Sequence, residues 1–356
     1  MTVADDAARH GRLDALKWIY NHGRGYLTAK TMDIAATHGH LEVVKWLHAR
    51  KNVYKKGCTQ EAMNGAAKNG HLAVVEWLHD NRTEGCTTAA MDGAAVNGHL
   101  DVVCWLHDYR TQGCTGNAIK WAAGNGHLEV VEWLLKWLHS KGHKCNTNAM
   151  DDAAANGHFE VVKWLHENVK RSWLDGKLCT QKAFVSAAYN GHFEVMKWIN
   201  GHYGYLDQKL VETMADETAS CGRLDALKWL NNNGYYITPR AMDSAATNGH
   251  LDVVKWLHAR KNGCTKAAID GAAKNGHLAV IEWLHDNLDE GCTTDAMDGA
   301  ASNGHLDVVR WLHSHCTQGC TGDAIKCAAG GALAVQSLRK SVFDSRPHGF
   351  SSVCSS

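Results

Sequence analysis

The sequence predicts an all-α solenoid of about twelve helix–turn–helix repeats. Three observations carry this prediction: the composition is skewed, a glycine recurs along the whole chain, and a tryptophan follows that glycine at a constant distance. The 356 residues include 34 Gly, 24 His and 14 Trp, but only 2 Pro and 5 Phe. Such a skew is typical of one template that is used many times along the chain.

A glycine in the phrase Asn-Gly-His-Leu, or in a variant of it, marks each repeat. Successive glycines are 27 to 34 residues apart, and a tryptophan stands seven residues after each of the first eleven. The repeat glycines are Gly11, Gly39, Gly70, Gly98, Gly126, Gly157, Gly191, Gly222, Gly249, Gly276 and Gly304, with a degraded twelfth at Gly331. A constant distance in eleven units indicates one structural unit that is stacked along the chain.

The first helix of a unit is predicted between a threonine and the repeat glycine, as between Thr87 and Gly98. Thr87 is an N-cap residue, Ala94 and Ala95 lie on the apolar face, and Gly98 ends the helix in the left-handed conformation. The corresponding caps in other units are Thr28, Thr59, Thr115, Thr180, Thr238, Thr265, Thr293, Thr321 and Asn146. We therefore expect a helix of nine or ten residues that packs mostly through alanine.

The second helix is predicted to begin near His99. Val102, Val103 and Leu106 form an apolar stripe together with Trp105, and an acidic residue opens most copies of this helix. Because the tryptophans recur at helical spacing beside these residues, we expect the tryptophan row to form part of the core.

The repeats are expected to fill residues 1–335, and residues 336–356 form a serine-rich tail that is expected to be disordered. Residues 8–126 resemble residues 219–331 closely, which indicates that a block of about four repeats was duplicated. Longer spacings place insertions at 167–178 and 202–212, as loops or extended helix ends. The abrupt start and the degraded last unit also fit a fragment of a larger repeat protein.

The segment from Ala153 to Lys163, Ala-Ala-Ala-Asn-Gly-His-Phe-Glu-Val-Val-Lys, resembles the core of the ankyrin repeat. The resemblance covers residues 4–335. The Thr-Pro-Leu-His stretch of that family is missing here, and the period of 27–28 residues is shorter than the usual one of about 33. The resemblance thus implies an almost purely helical variant with reduced β-hairpin fingers, which binds a partner protein on its concave surface without enzymatic activity.

Charge and cysteine content exclude several other classes of protein. Lys plus Arg equals Asp plus Glu at 37 each, so we expect neither a nucleic-acid partner nor a membrane surface. The 13 cysteines are an odd number and mostly isolated, and no secretory signal is visible. We therefore expect reduced thiols in an intracellular protein, cytoplasmic or nuclear, that is monomeric and has no cofactor.

A metal-binding or enzymatic protein that uses the histidines and cysteines is the alternative. Most of these residues recur once per unit, whereas the ligands of one metal ion must converge, so structural roles are favoured. The strongest candidate group is His313, His315, Cys316 and Cys320, although its spacing fits no zinc motif. The cysteines of the Gly-Cys-Thr turns are interpreted as small buried residues: Cys58, Cys86, Cys114, Cys264, Cys292 and Cys320.

The face of the first helix opposite its alanines, at positions 89, 92, 93 and 96 in one unit, is expected to line the binding groove. Eight units place an aspartate there, and this regularity favours a structural or helix-dipole role: Asp5, Asp33, Asp92, Asp151, Asp216, Asp243, Asp270 and Asp298. The less regular residues of the face are the candidates for partner binding: Glu61, Lys68, Asn117, Lys120, Trp121, Lys182, Tyr189, Arg240, Lys274 and Asp295. Trp121 and Tyr189 are interpreted either as hot-spot aromatics or as packing on a neighbouring repeat.

Overall fold

The computed structural model describes residues 2–23, 27–50, 57–140, 148–169, 178–204, 208–318 and 320–321. Within these residues the chain forms 22 α-helices and no strand, so the all-α solenoid of helix–turn–helix repeats is confirmed. The tail at 336–356, Gly331 and the cap Asn146 lie outside the described residues. No helix in the described ranges has both the length and the apolar character needed to cross a membrane.

Each repeat contributes a first helix and a second helix. The first helices are α1 (Val3–Arg9), α3 (Ala29–Thr37), α5 (Gln60–Lys68), α7 (Thr88–Val96), α9 (Asn117–Gly124), α11 (Asn148–Ala155), α13 (Gln181–Tyr189), α15 (Gln208–Ser220), α17 (Pro239–Thr247), α19 (Lys266–Lys274) and α21 (Thr294–Ser302). The second helices are α2 (Leu13–Asn21), α4 (Leu41–His48), α6 (Leu72–Asn81), α8 (Leu100–Tyr109), α10 (Leu128–Ser140), α12 (Phe159–Asn168), α14 (Phe193–Tyr203), α16 (Leu224–Asn232), α18 (Leu251–His258), α20 (Leu278–Asn287) and α22 (Leu306–His315).

The chain divides into two compact units. The first comprises residues 1–187 and 194–199, and the second comprises residues 188–193 and 200–356. Inside each unit, a first helix packs against the first helices of its neighbours and against the second helix of its own repeat. At the predicted insertions, α12 ends at Asn168, α14 runs to Tyr203 and α15 begins at Gln208. Residues 170–177 and 205–207 lie outside the description.

Helix boundaries follow the predicted signals. The side chain of Thr87 accepts a hydrogen bond from the backbone N–H of Ala89 at 3.2 Å, which satisfies a free donor of the first turn. Gly98 ends α7 with a φ of +79°, and the other repeat glycines from Gly11 to Gly304 share this left-handed conformation. A Cβ built on Gly98 would lie 2.5 Å from Nδ1 of His127 in the next repeat. The glycine therefore both ends the helix and makes room for a neighbouring imidazole.

The core lies between the two helix layers. In one repeat, Ala94 and Ala95 of the first helix are completely buried, and so are Val102 and Val103 of the second. Leu106 is 1% exposed. The small alanine side chains let the first helices approach closely, and the branched residues of the second helix fill the remaining space.

The predicted core position of the tryptophans is wrong. None of the eleven repeat tryptophans is buried: Trp18 is 51% exposed and the others are partly exposed. Val102, Val103 and Leu106 already occupy the core side of α8, which places Trp105 at the edge of the apolar stripe. There the indole contacts His79 of the preceding repeat edge to face, with ring centroids 5.2 Å apart.

This ring contact repeats along the second helices. A histidine of one repeat meets the tryptophan of the next with centroids 5.0 to 5.2 Å apart in five further pairs: His48–Trp77, His107–Trp133, His166–Trp198, His258–Trp283 and His285–Trp311. These tryptophans are therefore partly exposed contacts between repeats.

Candidate partner-binding surface

Five of the candidate residues lie in the first turn of a first helix, two residues after the predicted cap threonine. All five are exposed: Glu61, Asn117, Lys182, Arg240 and Asp295. Four of them, all except Arg240, donate the backbone N–H to the hydroxyl of the threonine two residues earlier at 3.1–3.2 Å. In α9 that threonine is not the N-cap as predicted, since Gly116 takes this position and Thr115 precedes it. The hydrogen bond therefore fixes the backbone while leaving each side chain in solvent.

Four aspartates of the row are buried, among them Asp92, which corrects the expectation that position 92 lines an exposed face; the other four are partly exposed. Asp92 is 8% exposed, and its carboxylate accepts a hydrogen bond from the backbone N–H of Thr115, at the start of the next repeat, at 2.8 Å. Helical spacing within one repeat does not reveal this partner, which is 23 residues away. The structural role of the row is thereby supported.

Other repeats make the same bond. In five units the carboxylate accepts both the backbone N–H and the hydroxyl of the following cap: Asp33 with Thr59, Asp151 with Thr180, Asp243 with Thr265, Asp270 with Thr293, and Asp298 with Thr321. Asn64 replaces the aspartate in one unit, accepts from the N–H of Thr87 and donates to its hydroxyl. We call these contacts the Asp–Thr staples.

Burial raises the pKa of the staple carboxyls, although the hydrogen bonds from threonine oppose the shift. This holds for Asp33, Asp92 and Asp151, and also for Asp216, whose carboxylate accepts a hydrogen bond from the hydroxyl of Thr238 at 3.3 Å. Burial acts in the same direction on Asp5, but hydrogen bonds from Thr2 and Thr31 outweigh it and lower the pKa of that carboxyl.

A second row of bonds joins the first helices at their C-terminal ends. The side-chain amide of Asn97 donates to the carbonyl oxygen of Lys68 in the preceding repeat at 2.7 Å, and Asn69 and Asn275 make equivalent bonds at 2.8 Å. The imidazole Nε2 of His40 lies 2.9 Å from the carbonyl oxygen of Arg9. Both ends of a first helix are therefore fixed to a neighbour, which gives the exposed side chains a rigid base.

Lys120 and Trp121 occupy the middle of α9, where the regular pattern is broken. Lys120 replaces the staple aspartate, is partly exposed, and forms an ion pair with Asp152 of the next repeat at 3.6 Å. Trp121 is 41% exposed. Four other units have glycine at the position of Trp121, and a Cβ on one of them, Gly93, would lie 2.9 Å from the Cβ of Lys68.

Lys68, Lys274 and Tyr189 lie at the C-terminal ends of their helices, and all three are exposed. Tyr189 is 44% exposed, and the neighbouring Cys221 thiol raises the pKa of its phenol. Its carbonyl oxygen accepts a hydrogen bond from Arg223 Nε at 3.1 Å. Tyr189 thus packs on the next repeat and still presents ring surface to solvent.

The structure adds Asp152 to the candidate surface. This residue was not singled out in the sequence, although it stands one position before an Ala-Ala pair, as Trp121 does. A comparison of equivalent positions between neighbouring units would have identified it. The contact between Lys120 and Asp152 depends on stacking, which the sequence of either repeat alone does not reveal.

The histidines and cysteines form no metal centre in the described part of the chain, where no group of three or more His, Cys, Asp or Glu residues is arranged to hold a metal ion. His313, His315, Cys316 and Cys320 belong to this described part. Burial raises the pKa of turn cysteines, to about 11 for Cys58 and to about 12 for Cys114, Cys264 and Cys292. Such thiols are poor nucleophiles at neutral pH. The interpretation as small buried residues holds for Cys58, Cys86, Cys264 and Cys292, whereas Cys114 and Cys320 are partly exposed.

Stacked helix pairs with a capped, alanine-rich first helix define a helical repeat protein. Profiles of ankyrin repeats match residues 31–118, 64–151, 92–173 and 242–324 as sets of three copies, and a second ankyrin profile of many copies matches residues 150–199. These matches cover more than half of the chain, which therefore belongs to the ankyrin repeat family. Ankyrin repeats are generally protein–protein interaction modules and are typically non-enzymatic.

Solved structures of helical repeat proteins are similar to this chain. The ankyrin repeat domain of human ASB11 is 15% identical, with a TM-score of 0.40 over 56% of this chain and 99% of that domain. The pentatricopeptide repeat protein PPR10 from maize is 10% identical, with a TM-score of 0.37 over 98% of this chain and 60% of that protein. Among curated protein sequences, none matches this chain significantly.

Proposed function

We propose that this chain is a non-enzymatic scaffold that binds a partner protein through the exposed face of its first helices. The observation that carries the proposal is Trp121, an exposed indole at a position where four other repeats have glycine. A side chain of this size contributes little to the core when it is 41% exposed. Tryptophan in a rigid setting is also the residue type that most often dominates binding energy at protein interfaces.

The surroundings of Trp121 support the proposal. Lys120 and Asp152 lie beside it as an ion pair, and Asn117 is exposed one turn earlier on the same helix. An aromatic anchor with polar and charged neighbours resembles the centre and the rim of a protein interface. Because caps and staples fix the backbone, little conformational entropy opposes association.

We extend the proposal to the ten candidate residues, taking those of each compact unit by themselves. The partner is a protein, with no nucleic acid and no membrane surface involved, and the chain acts as a monomer. The balanced charge of 37 basic and 37 acidic residues supports this choice of partner, since nucleic acids and anionic lipids attract proteins with a basic excess.

The test is affinity capture from a cell lysate with three forms of the full chain, followed by quantitative mass spectrometry. The Trp121→Ala variant should lose captured proteins that the native chain retains. The Glu76→Ala variant alters an exposed residue of α6, on the second-helix layer, and should retain them. Circular dichroism should show equal helicity in all three forms. Identical capture by the native chain and the Trp121→Ala variant would refute the placement of the site.

A further inference from the structure

The turn after the second helix differs between two repeats that are otherwise equivalent. Helices α5 and α6 correspond to α19 and α20, and both pairs consist of helices of 9 and 10 residues. Arg-Thr-Glu at 82–84 follows α6, whereas Leu-Asp-Glu at 288–290 follows α20. One basic residue is lost and one acidic residue is gained, so the second turn carries two negative charges and no positive one.

In the first of these turns, an arginine lies between a carboxylate and a glycine. Arg82 forms an ion pair with Glu84, and its Nε donates to Oε2 of that residue at 3.2 Å. A Cβ built on Gly57 would overlap with this guanidinium, with Nη1 only 2.7 Å away. The missing side chain of Gly57 therefore makes room for the flat guanidinium, and Glu84 supplies the opposite charge.

The backbone of the second turn follows the same path. Leu288 is the C-cap of α20 with φ −138° and ψ 148°, close to the −131° and 152° of Arg82 at the end of α6. The backbone N–H of either residue donates to the carbonyl oxygen four positions earlier at 2.9 Å. The N-caps of α5 and α19 also agree, with φ of −112° and −111°. Gly263 and Glu290 therefore take the places of the glycine and the glutamate in the first turn.

In the second turn the glutamate is left without a donor. Oε2 of Glu290 is buried and has no hydrogen-bond partner in the described part of the chain. A Cβ built on Gly263 would meet no described atom within 4 Å, so Leu288 does not cover this glycine as the arginine covers its counterpart. Burying a carboxylate oxygen without a donor costs free energy, which a cation with N–H donors would recover.

Among the described residues, no cation takes over the place of the arginine. Lys266 stands where Gln60 donates to the carbonyl oxygen of Glu84 at 3.2 Å, but Lys266 is exposed and is not bonded to Oε2 of Glu290. Burial and, after it, the charge of Glu290 raise the pKa of the Cys264 thiol to about 12, which agrees with a carboxylate that lies beside this turn. Glu290 is partly exposed, so a group from solvent can reach its carboxylate.

We propose that Gly263 and Glu290 bind the guanidinium group of an arginine that belongs to a partner protein. The guanidinium takes the place that Arg82 occupies in the first turn, with its flat face on the glycine and its N–H groups on the carboxylate. A guanidinium offers two parallel N–H donors to a carboxylate, whereas a lysine ammonium is a compact charge without a flat face. Asp289, which is exposed, adds a second negative charge. The inference rests on the proposed function in that the arginine belongs to the protein partner.

The experiment titrates the ¹⁵N-labelled full chain with N-acetyl-arginine amide at low ionic strength and follows the backbone amide signals by NMR. The amides of Gly263 and Glu290 should shift and approach saturation at millimolar concentrations. N-acetyl-citrulline amide has the same shape without the charge and should shift neither amide, and N-acetyl-lysine amide should bind more weakly. Free arginine should bind no better than the blocked compound, which represents a residue within a polypeptide.

Three variants use the equivalence of the two repeats. Glu290→Gln should abolish the response to the arginine compound. Leu288→Arg supplies the guanidinium from the chain itself, so it should raise the thermal midpoint and also abolish the response. Arg82→Leu should open the equivalent place in the first turn and add shifts at Gly57 and Glu84.

The proposal is overturned if the arginine compound shifts neither amide of the second turn, if the citrulline compound shifts them equally, or if Glu290→Gln keeps the response. Much tighter binding of free arginine would overturn the assignment to a polypeptide. Trp121→Ala should respond to the arginine compound as the native chain does. If the titration succeeds while lysate capture does not depend on Trp121, the proposed interface fails and the guanidinium site stands. A failed titration with capture that depends on Trp121 refutes the guanidinium site alone.

Discussion

The first helices and the second helices are held to their neighbours by different contacts. On the first-helix side, Asp92 and Asn97 reach backbone groups of adjacent repeats through hydrogen bonds of 2.8 and 2.7 Å. On the second-helix side, His79 and Trp105 meet through their rings while both remain partly exposed. A hydrogen bond to a backbone group requires a donor or acceptor at one position, whereas a ring contact can be made by several kinds of side chain.

Other side chains replace the histidine in one of the ring contacts with tryptophan. Tyr20 takes the place of the histidine in contact with Trp46, with ring centroids 5.9 Å apart, and the Arg50 guanidinium lies 4.1 Å from the centroid of the same indole. At the staple position, by contrast, Asn64 is the replacement that preserves the bonds to the next cap. The first-helix layer therefore sets the register of the repeats, and the second-helix layer adds packing that accepts other side chains.

The largest expected difference is between neighbours on α8. Leu106→Ala removes a fully enclosed side chain and should lower the free energy of unfolding by about 2–5 kcal/mol. Trp105→Ala removes a larger but partly exposed side chain and should cost less, below about 2 kcal/mol. Urea unfolding followed by circular dichroism measures both. If Trp105→Ala lowered the free energy of unfolding more than Leu106→Ala does, the result would contradict the position of Trp105 at the edge of the core.

A glycine pair separates backbone strain from crowding between repeats. Gly98 and Gly234 share a φ of +79°, but only Gly98 faces a neighbouring ring, that of His127, while a Cβ on Gly234 would meet no described atom within 4 Å. Gly234→Ala should cost about 1 kcal/mol for the left-handed backbone, and Gly98→Ala roughly 2–3 kcal/mol. Equal shifts of the thermal midpoint for Gly98→Ala and Gly234→Ala would show that the His127 side chain moves aside without a measurable cost.

The staple itself is tested by two substitutions at one site. Asp92→Ala leaves the N–H of Thr115 without its acceptor and should cost about 1–3 kcal/mol. Asp92→Asn reproduces the arrangement of Asn64 and should cost less than about 1 kcal/mol. Chemical denaturation gives both values. If Asp92→Ala and Asp92→Asn lowered the free energy of unfolding by the same small amount, water would be replacing the carboxylate as the acceptor for the N–H of Thr115.

The smallest effect concerns pH. Burial lowers the pKa of His71, His127 and His277, and the charges of neighbouring histidines lower it further, whereas a backbone hydrogen bond opposes the shift at His71 and His127. A lowered pKa in the folded state adds stability above the unfolded value near 6.5, and this stability is lost as pH falls through the folded pKa. His127→Gln, which can still donate a hydrogen bond, should therefore show a smaller loss of stability between pH 7.5 and pH 5.5 than the native chain.

The staple aspartates change the stability with pH in the direction opposite to that of the histidines. Asp33, Asp92, Asp151 and Asp216 have a raised pKa, so their contribution to stability is fully present below about 3.8 and is lost as pH rises through the folded value. Comparing the pH profiles of Asp92→Asn and the native chain isolates this contribution. A native profile that falls more steeply than the variant profile as pH decreases toward 4 would contradict the assigned direction.

The sequence predicted those features that depend on residues close in the chain. Thr87 and Gly98 marked the ends of α7, since caps and left-handed stops are local. The position of Trp105 was mispredicted because helical spacing defines an apolar stripe without saying which residue lies at its edge. The staple of Asp92 and the ion pair of Lys120 with Asp152 join different repeats, and only stacking reveals such partners. The ten candidate binding residues remain a proposal.

Amide hydrogen exchange at Thr115 tests the staple most directly. In the native chain this N–H is bonded to a carboxylate that is 8% exposed, so exchange should be slow in the native chain and in Asp92→Asn. In Asp92→Ala the same amide should exchange much faster, while the amides within α8 keep their protection. Unchanged protection of Thr115 in Asp92→Ala would contradict the claim that backbone-directed bonds set the register of the repeats.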